Sequence, residues 1–192
     1  SLESLHGSLG RTVVPIQIPI GSEKNFHGCV DLIGMKSMNF ATDGSGEVTT
    51  GEVPDELTDR ATINREALIE MVAETNDSLM EKFFEDGTLN QKDLEAGLKT
   101  ATSERQVFPL LCTSAHENIG IQPLLDAILT YLPAAADHPL PAFDRESGDP
   151  VTYDTSDSAP SAAFVWKTIA DPFAGRITLF RVASGSLQSD SS

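Results

Sequence analysis

The stretch Val107-Phe-Pro-Leu-Leu-Cys-Thr-Ser-Ala-His-Glu-Asn-Ile-Gly-Ile121 constrains this chain more than any other. Its apolar run from Val107 to Cys112 reads as a buried strand, Thr113-Ser114-Ala115 as a turn of small residues, and Ile121 to Leu132 as an amphipathic helix. Strand, loop and helix in that order suit an open α/β sheet, where ligands sit at the carboxyl ends of strands. Ser114 and Ala115 stand at that end. Their small side chains let backbone N–H groups approach a planar acceptor, such as the carbonyl of a purine. Taken alone, the turn reads more readily as an ordinary βα connection.

Upstream, Leu2, Leu5 and Leu9 recur at helical spacing without a start signal and read as the tail of a helix. Val13 to Ile20 is a β-branched, apolar strand whose Pro15 and Pro19 favour an edge or a strand end. Phe26 to Ile33 reads as a second strand, and Met35–Phe40 with Glu47–Val53 as a hairpin around the Gly-rich turn at 42–46. Pro54-Asp55 then opens what the periodicity predicts to be one long helix, Glu56 to Glu85. Leu57, Ala61, Leu68, Val72, Thr75, Leu79 and Phe83 share its inner face.

The opposite face carries Glu66, Glu70, Glu74, Asp77 and Glu81. Unpaired like charges at i,i+4 cost roughly 0.2–0.5 kcal/mol each, so a single-signed stripe points to a cationic partner. A merely solvated face, with Arg65 and Lys82 close by, is the other reading. Gly87 ends the helix, and Asn90 with Asp93 predicts the N-cap of a shorter one, Gln91 to Ser103, with Leu94 and Leu98 inward.

Residues 133–160 are Pro-rich, then polar, and read as linker and surface loop. Two strands follow, Ala162–Ile169 and Arg176–Ser184, around the turn Asp171-Pro-Phe-Ala-Gly175. Two strands cannot close a barrel, so the expected organisation is 1–132, a linker at 133–160, and a domain at 161–192 that is cut short.

Acidic residues outnumber Lys plus Arg by 29 to 13, for a formal charge of -16, which argues against gripping a phosphate backbone and favours a basic protein surface. There is no apolar run of bilayer length and no signal-peptide pattern, so a cytoplasmic location is the default expectation. Cys29 and Cys112 read as buried reduced thiols, and His6, His27, His116 and His138 lack metal-ligand spacing. Cys112 and His116 flank a turn, but nothing in the sequence supplies the orienting third group that a nucleophile and base require.

The segment Ala163–Gly185 resembles the opening of the second domain of translational GTPases, most closely that of elongation factor G. The matching residues are Ala170-Asp171-Pro172-Phe173, Gly175-Arg176 and Phe180-Arg181-Val182-Ala183-Ser184-Gly185. Val14–Gly21 and Phe26–Ile33 resemble the strands leading into the subdomain inserted in that factor's G domain. The resemblance runs from about Leu9 to Leu187. It implies an α/β fold: an α+β inserted subdomain at about 21–105, the last strand and helix of a P-loop GTPase fold, then the first strands of a β-barrel domain.

Under the same resemblance, Ser114 and Ala115 match the dipeptide whose backbone reads a guanine base, while His116 occupies a variable position with no implied role. The implied parent is a ribosomal translocase that binds GTP and magnesium and hydrolyses GTP as tRNA and mRNA move. This chain itself has no Gly-x-x-x-x-Gly-Lys-Ser/Thr loop and no Asn-Lys-x-Asp motif. It is expected to need no cofactor or metal and to neither bind nor hydrolyse GTP. The stripe of Glu66, Glu70, Glu74, Asp77 and Glu81 is implied to face the stalk protein of the large ribosomal subunit, whose globular domain has a basic patch. Two alternatives stay open. One is an elongation factor G-like paralogue without translocase activity, suggested by His116-Glu117 and the short hairpin. The other is a non-enzymatic α/β module whose acidic helix binds a basic partner.

Overall fold

The computed structural model describes residues 2–134, 136–137 and 141–189. Contacts divide the chain into two units, Ser1–Leu132 and Pro133–Ser192. The first begins with helix α1 (Leu2–Leu9) and strands β1 (Val13–Pro15), β2 (Gln17–Ile20), β3 (Gly28–Asp31), β4 (Lys36–Phe40) and β5 (Val48–Gly51). Helices α2 (Asp55–Ala73), α3 (Asp77–Asp86) and α4 (Gln91–Ser103) follow, then β6 (Phe108–Leu110) and α5 (Ile121–Tyr131). The second unit holds β7 (Ala142–Phe143), β8 (Pro150–Val151), β9 (Ala162–Asp171) and β10 (Gly175–Ser184). The architecture is mixed α/β followed by β strands, the class the sequence predicts.

Val13 to Ile20 is two strands where the sequence suggested one. Pro15 ends β1, which pairs in parallel with β6, Val13 opposite Phe108 and Pro15 opposite Leu110. Ile16 then carries the chain into a second sheet, its N–H still donating to Leu110 O at 3.0 Å. There β2 is the edge of an antiparallel meander ordered β2-β3-β4-β5, which tolerates Pro19.

The long helix expected from Glu56 to Glu85 is also two. At Asn76 the backbone turns extended (φ -152°, ψ 126°), and its side chain accepts from Ser78 N and Leu79 N at 2.9 and 3.3 Å. Asparagine here competes for the amides a continuous helix would bond, and so starts α3 afresh. Asn90 does the same for α4, accepting from Asp93 N at 2.9 Å, and Gly87 closes α3 at φ 69°.

The main core joins the meander to these helices through Ile18, Val30, Leu32, Leu68, Val72 and Leu98. Leu94 and Leu98 are wholly buried, each contributing about 1.5–3 kcal/mol of apolar burial. Arg65 reaches in from α2, its Nη1 donating to the carbonyls of Leu32 and Ile33. A smaller cluster holds Cys29, Phe40 and Ile119, with Cys112 packed against it.

In the second unit, residues 133–160 are not loop throughout, because β7 and β8 pair as a short hairpin. β9 and β10 form a longer one. Its turn is fixed by Asp171 Oδ1, which accepts from Phe173 N at 2.8 Å and Ala174 N at 2.7 Å. Those two N–H donors hold the Asp171 carboxyl below its usual range. Lys167 pairs with Leu179 and Val165 with Phe180, leaving Trp166 in a bulge. Phe164, Trp166 and Phe173 are exposed. Among the described residues no helix is long and apolar enough to cross a membrane.

Candidate functional site

The turn after β6 is built as a narrow loop closed at its base. Ser114 N donates to Ile119 O at 2.9 Å and Ile119 N to Ser114 O at 3.0 Å. Gly120 follows at φ 72°, where a Cβ would stand 2.5 Å from Cys112 O, so only glycine fits between the turn and α5. Asn118, itself at φ 53°, donates from Nδ2 to Gly44 O at 3.0 Å and so ties the tip of the β4–β5 hairpin to the turn.

This arrangement separates the two residues expected to present their backbone. The Ser114 N–H is spent on Ile119. Ala115 is exposed, and among the described residues its N–H has no acceptor. A planar acceptor arriving at the carboxyl end of β6 would therefore meet Ala115 first. His116 is almost fully exposed, with its Nδ1 3.4 Å from Glu117 Oε1.

The strand leading to the turn is less buried than its apolar sequence suggests. Only Val107 is fully covered; Phe108 is exposed and Pro109 to Cys112 are half-buried. Among the described residues β6 has one neighbour, β1, and two-stranded parallel pairs leave much of each strand uncovered. The same holds for α5, where Leu125 and Leu129 are exposed and Tyr131 is the buried residue.

Cys29 and Cys112 are free thiols, as expected, although Cys112 is half-buried where full burial was predicted. Burial pushes the Cys29 thiol up to about 12, with Cys112 and Asp31 adding to the effect. Burial also raises Cys112, opposed by Arg60. Neither is an activated nucleophile. Among the described residues no three His, Cys, Asp or Glu side chains gather to hold a metal ion.

The acidic residues lie on two helices because of the break at Asn76. Glu66 and Glu70 are on α2, Glu74 is its C-cap, and Asp77 and Glu81 are on α3. All five are exposed. The cations beside them face elsewhere: Arg65 is turned inward onto Leu32 and Ile33, and Lys82 Nζ meets Asp93 Oδ2 at 2.8 Å on α4. Among the described residues, none of the five carboxylates forms an ion pair.

No family model matches the chain. A crystal structure of a protein from Thermus thermophilus is similar to it, with a TM-score of 0.71 and 27% sequence identity. The likeness covers 96% of this chain and 25% of that protein, so the chain spans about a quarter of its length.

Sequence reasoning passed over Gln17, Asn118 and Gly120. Gly120 had a local signal, a glycine directly before an apolar helical run. Gln17 and Asn118 act across the fold, on partners that no local pattern names.

Proposed function

We propose that this chain is part of a translational GTPase of the elongation factor G type, a ribosomal translocase whose longer parent binds GTP and magnesium and hydrolyses GTP. The observation that carries the reading is the turn after β6, with the Ala115 amide, which has no acceptor among the described residues, at the carboxyl end of a parallel strand. That geometry fits the edge of a guanine base. The sequence resemblance along the chain supports it.

The residues present fit a base edge and nothing more of the nucleotide, since the phosphate-binding loop is not in this sequence. Within the parent, Ala115 would orient the base and Ser114 would brace the turn. The stripe of Glu66, Glu70, Glu74, Asp77 and Glu81 would receive the basic globular domain of the large-subunit stalk protein. That none of those carboxylates forms an ion pair among the described residues supports this.

Titrating isotope-labelled chain with that stalk domain, and separately with GTP, tests the reading. Amide shifts confined to residues 66–81 that fade with salt are expected, with no shifts from GTP. The absence of any stalk-domain shifts would sink the partner assignment. Strong GTP shifts at Ser114 and Ala115 would show that the chain alone suffices for the nucleotide.

A further inference from the structure

Thr102 lies in α4 with only 9% of its surface exposed, and its Oγ1 has no hydrogen-bond partner among the described residues. Other helical threonines of the chain donate to the carbonyl four residues back: Thr58 to Pro54, Thr62 to Thr58 and Thr130 to Asp126. Thr102 does not. A buried hydroxyl left unpaired is costly, so its surroundings have to account for it. Thr102 lines a recess of about 170 Å³ between α4, β6 and α5, whose other walls include Leu111, Leu124, Ile128, Tyr131 and Leu132. Ile128 and Leu132 are exposed, so the recess opens to solvent, while Tyr131 is buried.

We infer that this recess is a binding site for a small uncharged aromatic alcohol of the phenol class, whose hydroxyl pairs with Thr102 Oγ1. The volume sets the body of the ligand: an apolar cavity of about 150 Å³ takes one benzene ring. Water does not meet the need. An ordered water wants roughly two to four polar partners, and Leu111, Leu124, Ile128 and Leu132 offer none. A ring with one polar atom does, as in small-molecule sites generally, where a few placed polar groups stand in an apolar lining. Charge narrows the class further. No charged side chain lines the recess, so nothing in it selects a cation. An adjoining recess shares Leu111, Ala127 and Tyr131 and adds Asp31 and Asp126, which together with the formal charge of -16 disfavours an anion. The inference stands apart from the function proposed above.

The test titrates the full isotope-labelled chain with phenol, with toluene, which matches its size but lacks the hydroxyl, and with benzoate as the anion. Phenol should shift the methyl signals of Leu111, Leu124, Ile128 and Leu132 and bind about tenfold more tightly than toluene, the worth of one hydrogen bond. Benzoate should leave those signals in place. Thr102→Val removes the hydroxyl at nearly constant volume and should erase the preference for phenol while toluene still binds. Ile128→Trp, at an exposed position, fills the mouth of the recess and should block both. Phenol shifts that miss the recess, or that persist there in Ile128→Trp, would overturn the site. A preference for phenol that survives Thr102→Val would overturn the role given to its hydroxyl.

Discussion

Gln17 holds Cys112 at two points: its Oε1 accepts the Cys112 N–H at 3.1 Å, and its backbone carbonyl lies 3.7 Å from the Cys112 Sγ. The contact joins the first residue of the meander to the end of β6, directly ahead of the turn that carries Ser114 and Ala115. Gln17 is a buried polar residue in an apolar strand, and this pairing is what its side chain does there.

Replacing Gln17 by Leu keeps the bulk and removes the acceptor. The Cys112 amide is then left unpaired, at a cost of about 1–3 kcal/mol. Urea unfolding should show a lower midpoint with an unchanged slope, and amide shifts should change at residues 112–115 before they change elsewhere.

Gly120→Ala strains the same turn from its other side. The position has φ 72° and a backbone oxygen 2.5 Å from any added Cβ. A loss of about 1–3 kcal/mol is expected. Gly44→Ala, also at positive φ but with nothing within 4 Å, should cost less by the same denaturation measurement.

Asn76→Ala removes the side chain that starts α3. Loss of the cap should cost about 1 kcal/mol and speed hydrogen exchange at Ser78 and Leu79, whose amides it accepts. Exchange at Ser78 and Leu79 unchanged from the parent chain would show that the break between α2 and α3 has another cause.

Stability should fall at alkaline pH. The folded state keeps the Cys29 proton up to about pH 12, whereas the ordinary thiol value is 9.0. The unfolded chain therefore binds fewer protons above pH 9, and stability is whole below that point and declines as pH rises towards 12. Tyr131, raised by burial and then by Glu95 and Asp31 from 10.0 to about 12, adds to the decline above pH 10. Cys29→Ala should flatten the first part of the curve in a pH series of thermal melts.

Where the sequence was legible, the determinants were local. Gly87, Asn90 and the Leu94–Leu98 spacing placed α4 at its observed bounds, because caps and periodicity act within one turn. The prolines marked a strand end and a sheet edge for the same reason. Asn76 lay inside an unbroken apolar period, and period alone does not show that a side chain will compete for helix amides. The division of Val13–Ile20 between two sheets was hidden too, since β-branched residues suit either sheet and the choice depends on Phe108 and Asp31, far along the chain. At the turn, the sequence named Ser114 and Ala115 together. Only the hydrogen bonds distinguish the Ser114 amide, spent on Ile119, from that of Ala115, which has no acceptor among the described residues.

The pairing of Val13 with Phe108 closes a long loop within the first unit that holds the meander and three helices. Closing a loop of that length carries a large entropic cost, and such distant pairings form slowly. Hairpins and capped helices gather sooner. The turn after β6 thus depends for its supporting strand on a closure across the whole meander and helix layer, and not on its own neighbours in sequence.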